Sequence, residues 1–99
     1  MKLTNASELT AIRAERIRKE KLAAAAIFEG ALASVDEIIR ARADRGMTSY
    51  SWEVPSVLRY NPFWDKEQSK AVFTDAGYTI REVENCAVGR LWWEIGWVL

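Results

Sequence analysis

Apolar and polar positions recur along this chain with two periods, and the change from one to the other divides it. Over residues 6–45 the spacing is helical, with no proline and, apart from Gly30, no glycine to interrupt it. Asn5, three residues before Glu8, supplies a capping-box start. Arg40, Arg42 and Arg45 crowd the negative end of the helix dipole, and Gly46 offers a left-handed stop. The pattern predicts one long helix over 6–45, about 60 Å if unbroken, or two helices joined near residues 23–26.

The halves of this helix differ. Ile27, Phe28, Ala31, Leu32, Val35, Ile38 and Ile39 form a wide stripe suited to packing on a sheet. The first half offers only Leu9, Ile12, Ile17 and Leu22 among Arg13, Arg16, Arg18, Lys19 and Lys21, with Glu15 and Glu20 between. That stripe is too narrow for a core. It suits a solvated helix held by Glu/Lys pairs or a contact with another subunit, and suits a basic nucleic-acid arm less, since its charge excess is small and no aromatics interleave.

Beyond Gly46 the period becomes two. Residues 48–54 place Tyr50, Trp52 and Val54 on one face and Ser49, Ser51 and Glu53 on the other, which reads as a half-buried strand ended by Pro55. After a connection over 56–60, Asn61 as cap and Pro62 in the first helical position predict a second helix through Trp64, Gln68, Ala71 and Val72 to Asp75 or Ala76. Gly77 closes it, and a Schellman arrangement there sets Tyr78 against Phe73. A second strand over 78–83 and a hairpin connection over 84–89, with Gly89 free for a positive φ, lead into the last strand. In that strand Leu91, Trp93, Ile95, Trp97 and Leu99 share one face, and Arg90, Trp92, Glu94, Gly96 and Val98 the other.

The predicted class is α+β, in the order α-β-α-β-β. A single domain over 1–99 comprises the long helix (6–45) and a β-α-β-β unit (47–99). A helical crossover makes the first two strands parallel, and the hairpin makes the third antiparallel to the second. The third strand carries apolar residues on both faces, so it belongs in the centre of a three-stranded mixed sheet ordered 1-3-2. The order 1-2-3 would leave it on an open edge.

Composition narrows the chemistry. Fourteen bases balance fourteen acids, so no global field recruits DNA, RNA or an anionic membrane. The absence of histidine removes the commonest general base and metal ligand. Cys86 is the single cysteine, which rules out an internal disulfide or a thiolate zinc cluster and fits a cytoplasmic, reducing setting. No apolar run approaches the ~20 residues of a bilayer span. No catalytic residue, metal or cofactor is expected.

Two stretches suggest binding. In the connection before the second helix, Arg59, Tyr60, Phe63 and Trp64 lie next to a helix N-terminus, where free amides favour an anion and an aromatic ring can stack on a base. On the last strand, Arg90 and Trp92 occupy the face opposite Trp93 and become an interface if that face is uncovered. Phe63 and Trp64 can instead be core with Arg59 a surface charge, and Trp92 is covered if the two helices lie on opposite faces of the sheet.

The charged first helix, Gly46-Met47-Thr48-Ser49 opening a strand, a short helix ending at Gly77-Tyr78, and Trp93, Ile95 and Trp97 alternating in a closing strand together resemble small accessory proteins of tailed bacteriophages. The resemblance covers most of the chain and carries over no residue set. It implies a non-enzymatic protein of the host-cell cytoplasm, often oligomeric, in some cases a counter-defence protein that sequesters a cyclic or ADP-ribose-derived nucleotide. The first expectation is thus a homo-oligomer, associating through its N-terminal helix, that captures a nucleotide-like ligand with Arg59, Tyr60, Trp64, Arg90 and Trp92. The alternative is an interaction or structural module that engages a host or virion protein through the N-terminal helix and the Trp-rich sheet face.

Overall fold

The computed structural model describes residues 2–97. Val98 and Leu99, expected on the two faces of the last strand, lie outside the described residues. Helix α1 runs unbroken over Ala6–Asp44, so the alanine tract at 23–26 is no joint. Asn5 caps it by accepting from the Ser7 amide at 2.9 Å and the Ser7 hydroxyl at 2.8 Å, one residue earlier than a Glu8 capping box requires. At the other end Gly46 takes φ +80°, its amide donates to the Ala43 carbonyl, and the Met47 amide donates to the Arg42 carbonyl. This is the Schellman pattern that a left-handed glycine permits.

Strand β1 (Ser49–Glu53) follows, then a one-turn helix α2 (Ser56–Arg59), helix α3 (Lys66–Asp75), and the hairpin strands β2 (Thr79–Asn85) and β3 (Arg90–Gly96). The sheet order is β1-β3-β2, as the loading of the last strand predicts. The sheet is wholly antiparallel and not mixed. β1 and β2 do run the same way, but β3 lies between them and opposes both, so no two neighbours are parallel. At the far end of β3, Gly96 pairs with both Ser49 and Thr79, and a Cβ there would stand 2.6 Å from the Thr79 hydroxyl.

The second helix begins later than Asn61-Pro62 predicts. The Asn61 side chain accepts from the Phe63 amide at 2.9 Å and its carbonyl from the Trp64 amide at 3.2 Å, which closes a turn and not a helix. Asp65 is the true cap, accepting from the Gln68 amide at 3.0 Å. The helix end agrees with the sequence. Gly77 has φ +95°, the Tyr78 amide donates to the Phe73 carbonyl, and the two rings meet edge to face at 6.1 Å.

α1 and α3 lie on the same side of the sheet, and the core forms between them around Trp93, which is 0% exposed. Its ring stacks on Trp64 at 5.6 Å and takes Trp52 and Phe73 edge-on at 5.3 and 6.2 Å. α1 contributes Ala24, Phe28, Val35 and Ile39. Ile27 and Ile38, predicted in the same stripe, are instead 41% and 37% exposed, because the buried strip is narrower than the sequence suggests.

Candidate functional site

The five residues expected to share a ligand site lie in three places. Arg59 and Tyr60, at the end of α2, brace the β2–β3 hairpin. The Arg59 guanidinium, 13% exposed, donates to Glu84 at 2.6 Å. The Tyr60 hydroxyl donates to the Gly89 carbonyl at 3.1 Å, and the Arg59 cation lies 5.3 Å from the Tyr60 ring centre. Gly89 takes φ +64°, which permits this approach. One guanidinium nitrogen, Nη1, is buried without a hydrogen-bond partner among the described residues.

Trp64 is half-buried in the core stack, and its indole N–H donates to the Ser69 hydroxyl at 2.8 Å. It also forms part of the floor of an open groove of about 800 Å³ between α1 and the start of α3, with Phe28, Leu32 and Val72. That volume is within the range of small-molecule sites. The rim carries Glu29, Asp65 and Glu67 against Lys21 and Lys66, and Lys66 is already paired with Glu82 at 3.1 Å. An excess of carboxylates is poorly matched to a polyanion. Phe63, which the sequence allows as a stacking ring or a core residue, borders this groove and a second hollow against Arg13, Ile17 and Glu20. The run Asp65-Lys66-Glu67-Gln68 was the sequence signal that could have placed the helix start, and with it the groove.

Arg90 and Trp92 occupy the sheet face that neither helix covers. There Trp92 stands level with Glu53 on one side and Val83 on the other, and is partly buried by these neighbours. Arg90 pairs with Glu53 at 3.4 Å and Arg81 with Glu94 at 3.6 Å, framing Trp92 and Val83 with charge. An apolar centre inside a polar rim is the composition of a protein interface.

The first half of α1 is the other uncovered surface. Over residues 6–23 no side chain is buried, and only Ile17 and Glu20 are partly covered. The helix carries the molecule to a length of 70 Å against widths of 31 and 19 Å. Leu9 is 55% and Ile12 63% exposed. Among the described residues no helix is long and apolar enough to cross a membrane, and no group of three acidic or cysteine side chains is placed to hold a metal ion. Comparison with protein-family models, curated proteins and solved structures gives no match, so the surfaces themselves carry the functional reading.

Proposed function

We propose that this chain is a non-catalytic protein-interaction module that docks through α1, with the Trp92 face of the sheet as a second contact. In the phage-type setting that the sequence resembles, its partner is a host or virion protein. The supporting observation is the first half of α1, which buries no side chain. Most helical stability in proteins comes from packing an apolar face, yet over residues 6–23 only Ile17 and Glu20 are even partly covered. The Asn5 cap contributes about 1 kcal/mol, and the Glu15–Arg18 pair at 2.6 Å is open to solvent. Leu9 and Ile12 add exposed apolar surface that a partner would cover.

Capture of a nucleotide-like ligand has less support, because Arg59, Trp64 and Arg90 already have partners within the chain and the groove is rimmed by acids. Calorimetric titration with cyclic dinucleotides and ADP-ribose isomers tests it directly, and saturable heat would restore it. For the interaction reading, tagged wild-type protein and a Leu9→Glu/Ile12→Glu variant are used to capture proteins from host lysate. A stoichiometric partner retained by the wild type and lost by the variant is expected. Equal recovery by both, or bait alone, overturns the reading.

A further inference from the structure

The exposed large apolar residues of α1 are not scattered. Leu9, Ile12, Ile27 and Ile38 are all at least 37% exposed, and four of the five such residues on this helix fall on one stripe. At about 3.6 residues per turn, Leu9 and Ile27 stand five turns apart and Ile38 three turns further on. Between and beyond them the same stripe carries Arg16, Glu20, Ala23, Gly30, Ser34 and Ala41, all exposed except Glu20, which is partly covered. The stripe lies roughly a third of a turn from the face bearing Phe28, Val35 and Ile39 and runs nearly the whole helix, from the free half to the half that backs the sheet.

The charges of α1 divide lengthwise. Residues 6–22 carry five bases against three acids, and residues 23–44 carry four acids against two bases. A second α1 laid antiparallel sets each basic half beside an acidic half and opposes the two helix dipoles, whereas a parallel copy sets like beside like. The spacing of the stripe also reads the same in both directions about Ala25. In an antiparallel pair Ile12 comes level with Ile38, Leu9 with Ala41, Arg16 with Ser34, Glu20 with Gly30 and Ala23 with Ile27.

Gly30 fits this arrangement. Glycine in a helix interior costs about 1 kcal/mol relative to alanine, and among the described residues nothing beyond the helix's own backbone lies within 4 Å of the place its Cβ would occupy. No contact among the described residues of one copy requires it. Beside a second helix it gives room for the Glu20 side chain of the other copy. A contact about 48 Å long and one helix wide buries on the order of 1,000 Å² in total, the lower bound of specific interfaces.

We infer that this stripe is the seat of a second copy of the chain, the two α1 helices packing antiparallel with Ile12 of each against Ile38 of the other. The inference rests on the reading of α1 as a docking element and seats a second copy on its stripe, which leaves the Trp92 face to the host or virion protein. In a Cys86→Ser background, light scattering of the otherwise unaltered protein should give twice the chain mass. Under mild oxidation the Ile12→Cys/Ile38→Cys double variant should form disulfide-linked dimers and each single variant none. Ile27→Glu should keep the helical circular dichroism and raise the dimer dissociation constant on the order of a hundredfold, because it adds two carboxylates opposite Ala23, within a turn of Glu20 of the other copy. A monomer at all concentrations, cross-linking of either single variant, or a dimer indifferent to Ile27→Glu overturns the inference. If the protein is monomeric and the lysate partner still depends on Leu9 and Ile12, the inference alone fails. If two copies pair through the stripe but the bait is recovered alone, the host or virion partner fails and the second copy stands.

Discussion

Trp92 and Trp93 are adjacent in β3 and face opposite ways, so replacing each by alanine separates the covered face of the sheet from the open one. Trp93 is fully buried within a cage of Trp52, Trp64 and Phe73 supplied by three other segments. Deleting an indole that buries ~200 Å² loses about 5 kcal/mol at ~25 cal/mol per Å². The cage is held from several directions and closes only in part, which adds a cavity penalty. A chain of this size is stable by about 5–15 kcal/mol, so Trp93→Ala removes all of the lower end of that range. Trp92 packs sideways on Val83 and Glu53, and water fills the space it leaves. With no cavity formed, Trp92→Ala costs about 1–2 kcal/mol. Urea unfolding followed by far-ultraviolet circular dichroism measures both through the midpoint at constant slope. Equal losses would refute the reasoning, since they would mean that the Trp92 face is packed in solution as tightly as the core.

Two further substitutions probe local devices. Gly77→Ala places a side chain at φ +95° where nothing crowds its Cβ, so its cost is backbone strain alone, about 1–2 kcal/mol by urea unfolding, and a neutral result would count against the left-handed cap. Glu82 is pushed up by burial, but the hydrogen bond and charge of Lys66, the charge of Lys70 and the indole N–H of Trp93 outweigh this and hold its carboxyl below the ordinary 4.5. A folded pKa below the unfolded one gives stability that is present above the ordinary carboxylate range and lost as pH falls through the lowered value. Glu82→Gln should therefore flatten the acid limb of stability against pH below about 4.5, and an unchanged limb would show that the ion pairs of Glu82 contribute nothing.

The features legible in the sequence were those fixed by near neighbours or by a two-residue alternation. Gly77, Tyr78 and Phe73 specify a helix end among six consecutive residues, and the structure shows the same bonds and ring contact. The central position of β3 followed from its apolar residues on both faces. The start of α3 was misplaced because two capping signals compete. Asn61-Pro62 and Asp65-x-x-Gln68 each satisfy free amides, and Trp64, stacked on Trp93 and bonded to Ser69, holds the intervening turn outside the helix. The stack on Trp93 joins segments far apart in the chain and leaves no local trace. The candidate ligand site scattered for the same reason, since Arg59 finds Glu84 across the fold, and the register of β3 with β1 sets Glu53 within reach of Arg90.

The two open surfaces have a common origin in the ratio of helices to sheet. A three-stranded sheet has two faces, and α1 and α3 both pack on the side of Trp93, leaving Trp92, among the described residues, to neighbours within the sheet. α1 in turn is longer than the sheet it backs, so its buried strip begins only at Ala24 while the helix begins at Ala6. An antiparallel α1 pair would cover the free helical half of each copy with the acidic half of the other and leave both Trp92 faces exposed. Such a dimer would be bivalent. A partner with two sites, such as an oligomeric host or virion protein, would be held by avidity that neither face provides alone, which gives a self-associating helix and an uncovered Trp92 face a use in the same molecule.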